Sequence, residues 1–557
     1  MNTVDMLAAA VARRAQDRPD DPAFTALSYP DGDPVPNTLS CGRLHTAAGA
    51  LAERIRGVTV PGDRVAILCE HGLDYVVAFL ACLYSARVAV PLFPVSARRG
   101  LGRLAAVLAD AAPALSLVSP GAETVTARAG LAVGRVLATA TEPTAPPVLD
   151  PIGDDPAYLL YTADSALPES GIAVTHANLA AALEQLRTGL PATAAKPIVT
   201  WLPFHHDMGL ILALALPLYT GVPAVTLAPA AFAVRPARWL RACSDYRAGT
   251  TVSPNFGLTL AISGSTAAER AGLDLSALDL LINGAEPIRA EALAAFTKTF
   301  SPYGFRHRAH TPGYGFAGAT LPVAYLAQDE EPTAVEFDRA ALAAGRAVVA
   351  GHPPQGLALV GCGVPAGPSV RVVDPIHRVE LAPGEIGEIW VAGPNVCPGY
   401  FRRPRATAAF FGAELPDSPE KWLRTGDLGF FHDGQLYLSG RLADMLVLGG
   451  RRHYPADVEA TAVQAVPELR PDRIAAFVVE CDERETLVLL AELADRFADP
   501  GEVVRQIRTA VTTTHDIAAV EVVLVAPGAI PTDTAGRPAR GRCRTRYLAG
   551  LVAPGTR

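Results

Sequence analysis

Apolar, β-rich runs alternating with longer helical stretches place the strongest constraint on this chain. Arg64-Val65-Ala66-Ile67-Leu68 and Val88-Ala89-Val90-Pro91-Leu92 read as buried strands, and residues 104–111 as one of the intervening helices. Strands buried on both faces need helices on either side, so the order predicts parallel sheets flanked by helices. From Gly361 the texture changes to short strands at close spacing: Ser369-Val370-Arg371-Val372-Val373, Gly387-Glu388-Ile389-Trp390-Val391 and Gln435-Leu436-Tyr437-Leu438-Ser439. These predict a small antiparallel β subdomain over about residues 361–440. After Gly440-Arg441 come strands over residues 474–479 and 487–492 and a helix over 503–513. The expected architecture is α/β: an N-terminal domain, 1–440, and a small, mobile α+β C-terminal domain, 441–557.

Composition narrows the function classes. At 557 residues the chain exceeds one ordinary core, and with half its residues hydrophobic and 19% charged it is not a disordered polymer. A net charge of −8 and the lack of a dense basic run argue against nucleic acid as a partner. Eight cysteines without metal or pairing spacing suit a reducing, cytoplasmic setting. Residues 208–234 carry no charge, but Pro217, Gly221, Pro223 and Pro229 break them into pieces too short for a membrane span. Lysine occurs only at Lys196, Lys298 and Lys421, none after a glycine, so no Gly-Lys-Ser/Thr phosphate loop exists.

Four short segments carry chemistry. Residues 161–171, Tyr161-Thr162-Ala163-Asp164-Ser165-Ala166-Leu167-Pro168-Glu169-Ser170-Gly171, follow a predicted strand and precede a helix, where a loop grips anions with N–H groups and hydroxyls. This loop offers two carboxylates instead, and like charges about 4 Å apart repel by about 4 kcal/mol at an effective dielectric of about 20. Trp201-Leu202-Pro203-Phe204-His205-His206-Asp207-Met208-Gly209-Leu210 sets two imidazoles and a carboxylate beside apolar walls. Asn283-Gly284-Ala285-Glu286-Pro287 is a small-residue turn suited to lie flat against a purine. Thr425-Gly426-Asp427-Leu428-Gly429 presents a carboxylate suited to a ribose diol. Ser263-Gly264-Ser265-Thr266 spells a phosphate-loop tetrapeptide, but no apolar strand ends before it, and it reads as a surface turn.

In this order and spacing the segments resemble the acyl-adenylate-forming superfamily, and within it the fatty acyl-AMP ligases, over essentially the whole chain. Gly440-Arg441 with His453-Tyr454-Pro455, the C-terminal Cys543-Arg544-Thr545-Arg546-Tyr547-Leu548-Ala549-Gly550, and residues 335–348, which look like the insertion separating acyl-AMP from acyl-CoA ligases, strengthen the likeness. The resemblance implies coupling of a fatty acid to ATP, then transfer of the acyl group to a carrier-protein thiol, with polyketide or peptide synthases as the partner class. It implies that Asn283, Gly284, Ala285, Glu286 and Pro287 line the adenine, Tyr314 closes over the base, and Asp427 takes the ribose hydroxyls. Arg441 would sit near the ribose and α-phosphate, His206, beside Asp207, between acyl tunnel and nucleotide, and Arg537 at the α-phosphate.

The departures cluster on the phosphate side. The family's Ser-Gly-Ser-Thr reads Ala163-Asp164-Ser165-Ala166, its Tyr-Gly-x-x-Glu reads Tyr314-Gly315-Phe316-Ala317-Gly318, its Thr-x-x-Gly-Lys lysine is Arg537, and its hinge lysine before Asp444 is Ala443. Gly318 removes an oxygen ligand that a hard cation uses. The sequence therefore predicts AMP or an acyl-adenylate as the bound nucleotide, in preference to ATP with Mg²⁺, and no protein metal site. Three readings stay open: an acyl-transfer protein with impaired adenylation, an active fatty acyl-AMP ligase, and a non-catalytic binder of acyl-nucleotide or carrier protein. His206, Asp207 and Arg537 are the catalytic candidates.

Overall fold

The computed structural model describes residues 6–95, 101–139, 149–150, 155–162, 170–351, 356–448, 451–481, 484–493, 499–532 and 538–552. The chain divides into two compact units. The first comprises Met1–Thr333, Val360–Val370 and Val391–Arg424, the second Ala334–Leu359, Arg371–Trp390 and Thr425–Arg557.

The first unit is built on two large sheets. In the nine-stranded sheet the strands Thr250–Val252, Leu280–Asn283 and His310–Phe316 run parallel side by side, and the antiparallel strand Leu321–Tyr325 follows His310–Phe316. In the seven-stranded sheet Val88–Pro91, Arg64–Ile67, Leu115–Val118 and Arg135–Ala138 are parallel neighbours. The predicted strands around Ile67 and Val90 lie here, and the predicted helix extends over Leu101–Ala111. Helix Leu73–Tyr84 is buried along nearly its whole length, as expected of a helix that is apolar on every side.

Residues 208–227 form core: a π-helical turn Gly209–Ala215, a helix Leu216–Thr220 and a strand Ala224–Leu227, almost all buried. Among the described residues no helix is long and apolar enough to cross a membrane. Ser263-Gly264-Ser265-Thr266 links two helices, and Thr266 caps the second, Ala267–Arg270, in a reciprocal box with Glu269.

In the second unit, strands Leu469–Cys481 and Arg484–Leu493 pair antiparallel and Val520–Val525 joins parallel to the latter. Helices Pro455–Ala465 and Pro500–His515 share an apolar cluster with this sheet. The insertion-like segment belongs to the same unit: Arg339 makes a two-pronged ion pair with Asp457, at 2.9 and 3.0 Å, and Phe337 packs among Phe430, His432 and Tyr437.

Candidate active site

Each segment is held by identifiable local forces, beginning with the histidine run. A turn closes from His206 N–H to the Pro203 carbonyl, and a Cβ on Gly209 would lie 2.0 Å from that same carbonyl oxygen. Only glycine lets the π-helical turn start there. Asp207 is buried; its Oδ1 lies 2.7 Å from His206 Nδ1 and accepts from Met208 N–H at 2.7 Å. The carboxylate thus orients the imidazole. His205 points its ring edge at Phe93, 5.7 Å between centroids, and burial, reinforced by His206 and Arg103, lowers its pKa to about 4.

Sequence reasoning missed a third imidazole. His71 stacks on Phe204 at 4.1 Å and contacts Thr226 Oγ1 at 2.7 Å, and burial, with His205 nearby, lowers its pKa to about 3. Both His71 and His205 are neutral at neutral pH. His71 sits at the entrance to helix Leu73–Tyr84, and no local pattern links it to the later run.

The small-residue turn at residues 283–287 follows strand Leu280–Asn283. Asn283 is fully buried beneath it and donates from Nδ2 to the Ser253 carbonyl at 2.7 Å, while its Oδ1 has no hydrogen-bond partner among the described residues. A Cβ on Gly284 would come within 2.9 Å of the Gly313 carbonyl oxygen on the neighbouring strand, and Ala285 takes φ +66°, so the turn is tight and flat. Glu286 accepts from Phe256 N–H at 3.0 Å, and the Pro287 carbonyl accepts from Asn255 Nδ2 at 2.8 Å; both contacts fall at the start of helix Asn255–Ser263. The helix N-terminus suits the Glu286 carboxylate. Tyr314, buried, lies on the adjacent strand, registered by Asn283 opposite Pro312.

Residues 163–169 and Arg537 lie outside the described residues, but the two ends of the segment 161–171 are defined. Tyr161 donates its hydroxyl to Asp110 at 2.8 Å, and Arg403 also donates to Asp110. Arg103 donates to the Tyr161 carbonyl at 3.3 Å. A Cβ on Gly171 would lie 2.9 Å from the Tyr161 ring, and the Gly171 carbonyl accepts from Phe401 N–H. A ring, a glycine and three charged groups therefore fix the base of that turn.

Gly318 is buried in the turn Ala317–Ala319, where a Cβ would meet the Phe316 ring at 2.9 Å and Leu423 at 3.0 Å. Asn395, fully buried, donates to the Ala319 and Pro322 carbonyls, and Thr320 donates to the Asn395 carbonyl. An aromatic ring and a leucine crowd the side-chain position of the family's glutamate. Among the described residues no group of three or more His, Cys, Asp or Glu could hold a metal ion. Gly318 itself supplies no side-chain oxygen at this point.

In the second unit, Asp427 on strand Ser418–His432 faces Arg441 on strand Gln435–Arg441, with Nε donating to Oδ1 at 2.9 Å. Gly426 takes φ +73° and its N–H donates to buried Glu388, while Thr425 donates to the Ile389 carbonyl. A Cβ at Gly426 would meet nothing within 4 Å, so open space borders the Asp427 turn.

Comparison with known proteins agrees with this architecture. The AMP-binding enzyme family model matches residues 11–401. A 4-hydroxyphenylalkanoate adenylyltransferase of Mycobacterium tuberculosis is 36% identical, over 97% of this chain and 91% of the relative. A long-chain-fatty-acid–AMP ligase of Mycobacterium bovis is 36% identical over 96% of each chain. Among solved structures, a fatty acyl-adenylate ligase from Legionella pneumophila in complex with acyl adenylate and pyrophosphate aligns with a TM-score of 0.75 and 29% identity, over 99% of this chain and 96% of that one.

The fold and the family match define an adenylate-forming, AMP-binding enzyme. Within that class the chain belongs to the fatty acyl-AMP ligase family. These matches support acyl-adenylate formation, and they overturn the expectation that set ATP and Mg²⁺ aside: enzymes of this family form adenylates from ATP with Mg²⁺. The physical reason is that phosphate loops grip largely through backbone N–H groups, which side-chain lettering does not show. Mg²⁺, for its part, keeps several waters and takes oxygens from the substrate phosphates as well as from the protein.

Proposed function

We propose that this protein activates a carboxylic acid of the fatty-acyl class with ATP and passes the acyl group to a carrier-protein thiol. A carboxylate oxygen attacks the α-phosphorus, the α–β P–O bond breaks, and pyrophosphate leaves. A thiolate then attacks the acyl carbonyl and AMP leaves. The observation that carries the reading is the flat, small-residue turn at residues 283–287, registered beside Tyr314, in a chain 36% identical along nearly its whole length to a long-chain-fatty-acid–AMP ligase.

Gly284 and Ala285 offer the adenine a surface without bulk, Asn283 braces it from beneath, and Glu286 and Pro287 fix its far end to helix Asn255–Ser263. Tyr314 covers the base. Asp427, beside the open space at Gly426, accepts from the ribose hydroxyls, and Arg441 brings positive charge toward the α-phosphate. His206, oriented by Asp207, lies between the acid and the nucleotide, and Arg537 stabilises charge at the α-phosphate as the bond breaks. When bound, Mg²⁺ supplies positive charge to the phosphates. The carrier belongs to a polyketide or peptide synthase, and the buried, unpaired cysteines among the described residues accord with work in a reducing cytoplasm.

ATP–pyrophosphate exchange with a series of fatty acids tests the reading. Acid-dependent exchange is expected, and its absence at every chain length sinks it. A binder without chemistry would hold a non-hydrolysable acyl-AMP analogue and show no exchange.

A second reading has a specific observation behind it: adenylation proceeds but is slowed, because Phe316 and Leu423 crowd the place of a glutamate at position 318. Gly318→Glu combined with Phe316→Leu should then raise the exchange rate where Gly318→Glu alone does not. An unchanged rate in the double variant counts against it.

A further inference from the structure

Strand Gly387–Ala392 is buried at all six positions, and Glu388 is its one ionisable side chain. A carboxylate is seldom enclosed so completely unless hydrogen-bond donors meet it. Here Oε1 accepts from the Gly426 N–H at 3.1 Å, and Oε2 accepts from the indole N–H of Trp390 at 2.9 Å. Glu388 and Trp390 stand two apart on one strand and therefore share a face. Trp390 is itself fully buried, so its ring fixes where the carboxylate stands.

The Gly426 residue that Glu388 holds leads directly into Asp427. Gly426 takes φ +73°, so the chain turns sharply between Thr425 and Asp427, and the set of that turn decides where the Asp427 side chain points. Thr425 adds a second tie to the same strand: its Oγ1 donates to the Ile389 carbonyl at 2.7 Å and accepts from the Asp427 N–H at 3.0 Å. From across the hairpin, Arg441 Nε donates to Asp427 Oδ1.

We infer that Glu388 is a positioning residue for nucleotide binding: through Gly426 it aims the Asp427 carboxylate at the ribose hydroxyls, and Trp390 keeps it in place. The inference rests on the reading above that gives Asp427 the ribose. A carboxylate suits this role because both of its oxygens accept, and hydrogen bonds to a charged acceptor are roughly twice as strong as neutral ones. Glutamine keeps the shape but offers one acceptor oxygen and one donor nitrogen, so it leaves either the Gly426 N–H or the Trp390 N–H facing a donor.

Calorimetric binding of AMP and of 2′,3′-dideoxy-AMP tests this without turnover. The dideoxy nucleotide lacks both ribose hydroxyls, so the ratio of the two affinities reads the ribose contact alone. The unmodified protein should prefer AMP about tenfold or more, as a hydrogen bond to a charged group gives. Glu388→Gln should lower that preference to about twofold by weakening AMP, with dideoxy-AMP held within about twofold of its original affinity. Trp390→Phe removes one donor and leaves the Gly426 bond, so it should lower the preference by a smaller factor, and it serves if Glu388→Gln does not fold. In an Asp427→Asn background, Glu388→Gln should change the preference no further, since its effect passes through Asp427.

Equal weakening of both nucleotides, an unchanged preference, or a further loss in the Asp427→Asn background would overturn the inference. No AMP binding, or no preference for AMP in the unmodified protein, removes Asp427 from the ribose and takes the inference with it. Absent ATP–pyrophosphate exchange with the preference intact removes adenylation alone, and the binding ratio then still decides whether Glu388 sets Asp427.

Discussion

Two turns at the ends of neighbouring strands in one sheet are held in opposite ways. The turn at residues 283–287 takes its shape from backbone: the Gly313 carbonyl oxygen leaves no room for a Cβ on Gly284, and Ala285 accepts a left-handed φ. The turn Ala317–Ala319 takes its shape from side chains, with the Phe316 ring and Leu423 in the space beside Gly318. A turn fixed by backbone tolerates no change of residue size. A turn filled by side chains can exchange one for another, which is how a carboxylate position becomes an aromatic one without loss of the fold.

The comparison breaks most completely at Gly315, which lies on the strand leading into the second turn. A Cβ there would sit 1.8 Å from the Leu321 carbonyl oxygen, at the register shift between Tyr314 and Gly315. Gly315→Ala should cost about 4 kcal/mol, as overpacking against backbone does at its upper end. Denaturant unfolding measures it. A midpoint equal to that of the unmodified protein would mean the bulge relaxes freely.

Acid should act on the same strand with a somewhat smaller effect. His310, at its first position, is fully buried, and burial, with His307 nearby, lowers its pKa to about 3. The unfolded chain, whose histidine titrates near 6.5, binds more protons below that pH, so this contribution is complete above about 6.5 and is lost as pH falls toward 3. By pH 4 the loss is roughly 3 kcal/mol. His310→Gln should flatten the slope of stability against pH over that window, and an unchanged slope would assign it to other groups.

The smallest effects sharpen the contrast itself. Gly284→Ala must displace backbone, so it should raise KM for ATP about tenfold, equivalent to about 1.4 kcal/mol. Gly318→Ala meets a movable ring and should cost about 1 kcal/mol of stability, recovered when Phe316 is also changed to Leu, with KM for ATP unaltered. Equal kinetic effects at both glycines would erase the distinction.

Much of the fold was legible because its strands stand out as short apolar runs; Val88–Pro91, Ser369–Val373 and Arg484–Leu493 all lie where the pattern put them. The tight turn at residues 283–287 was legible because small residues in a fixed order leave few alternatives. The phosphate side misled: Asp164 and Glu169 were weighed as repelling charges and Gly318 as a lost ligand, whereas backbone N–H groups, waters and the phosphates themselves carry much of that binding. His71 was invisible because the long-range packing that stacks it on Phe204 leaves no mark in local spacing.

The sequence by itself determined the α/β architecture, the order of the motif segments and the family, since periodicity and short motifs are local properties of a chain. Only the tertiary structure decided which groups brace those segments: Asp110 and Arg403 at Tyr161, Phe316 and Leu423 beside Gly318, and Glu388 at Gly426. These partners are distant along the chain, and a sheet edge, a close-packed ring or a buried carboxylate brings them together only when the backbone has closed around them.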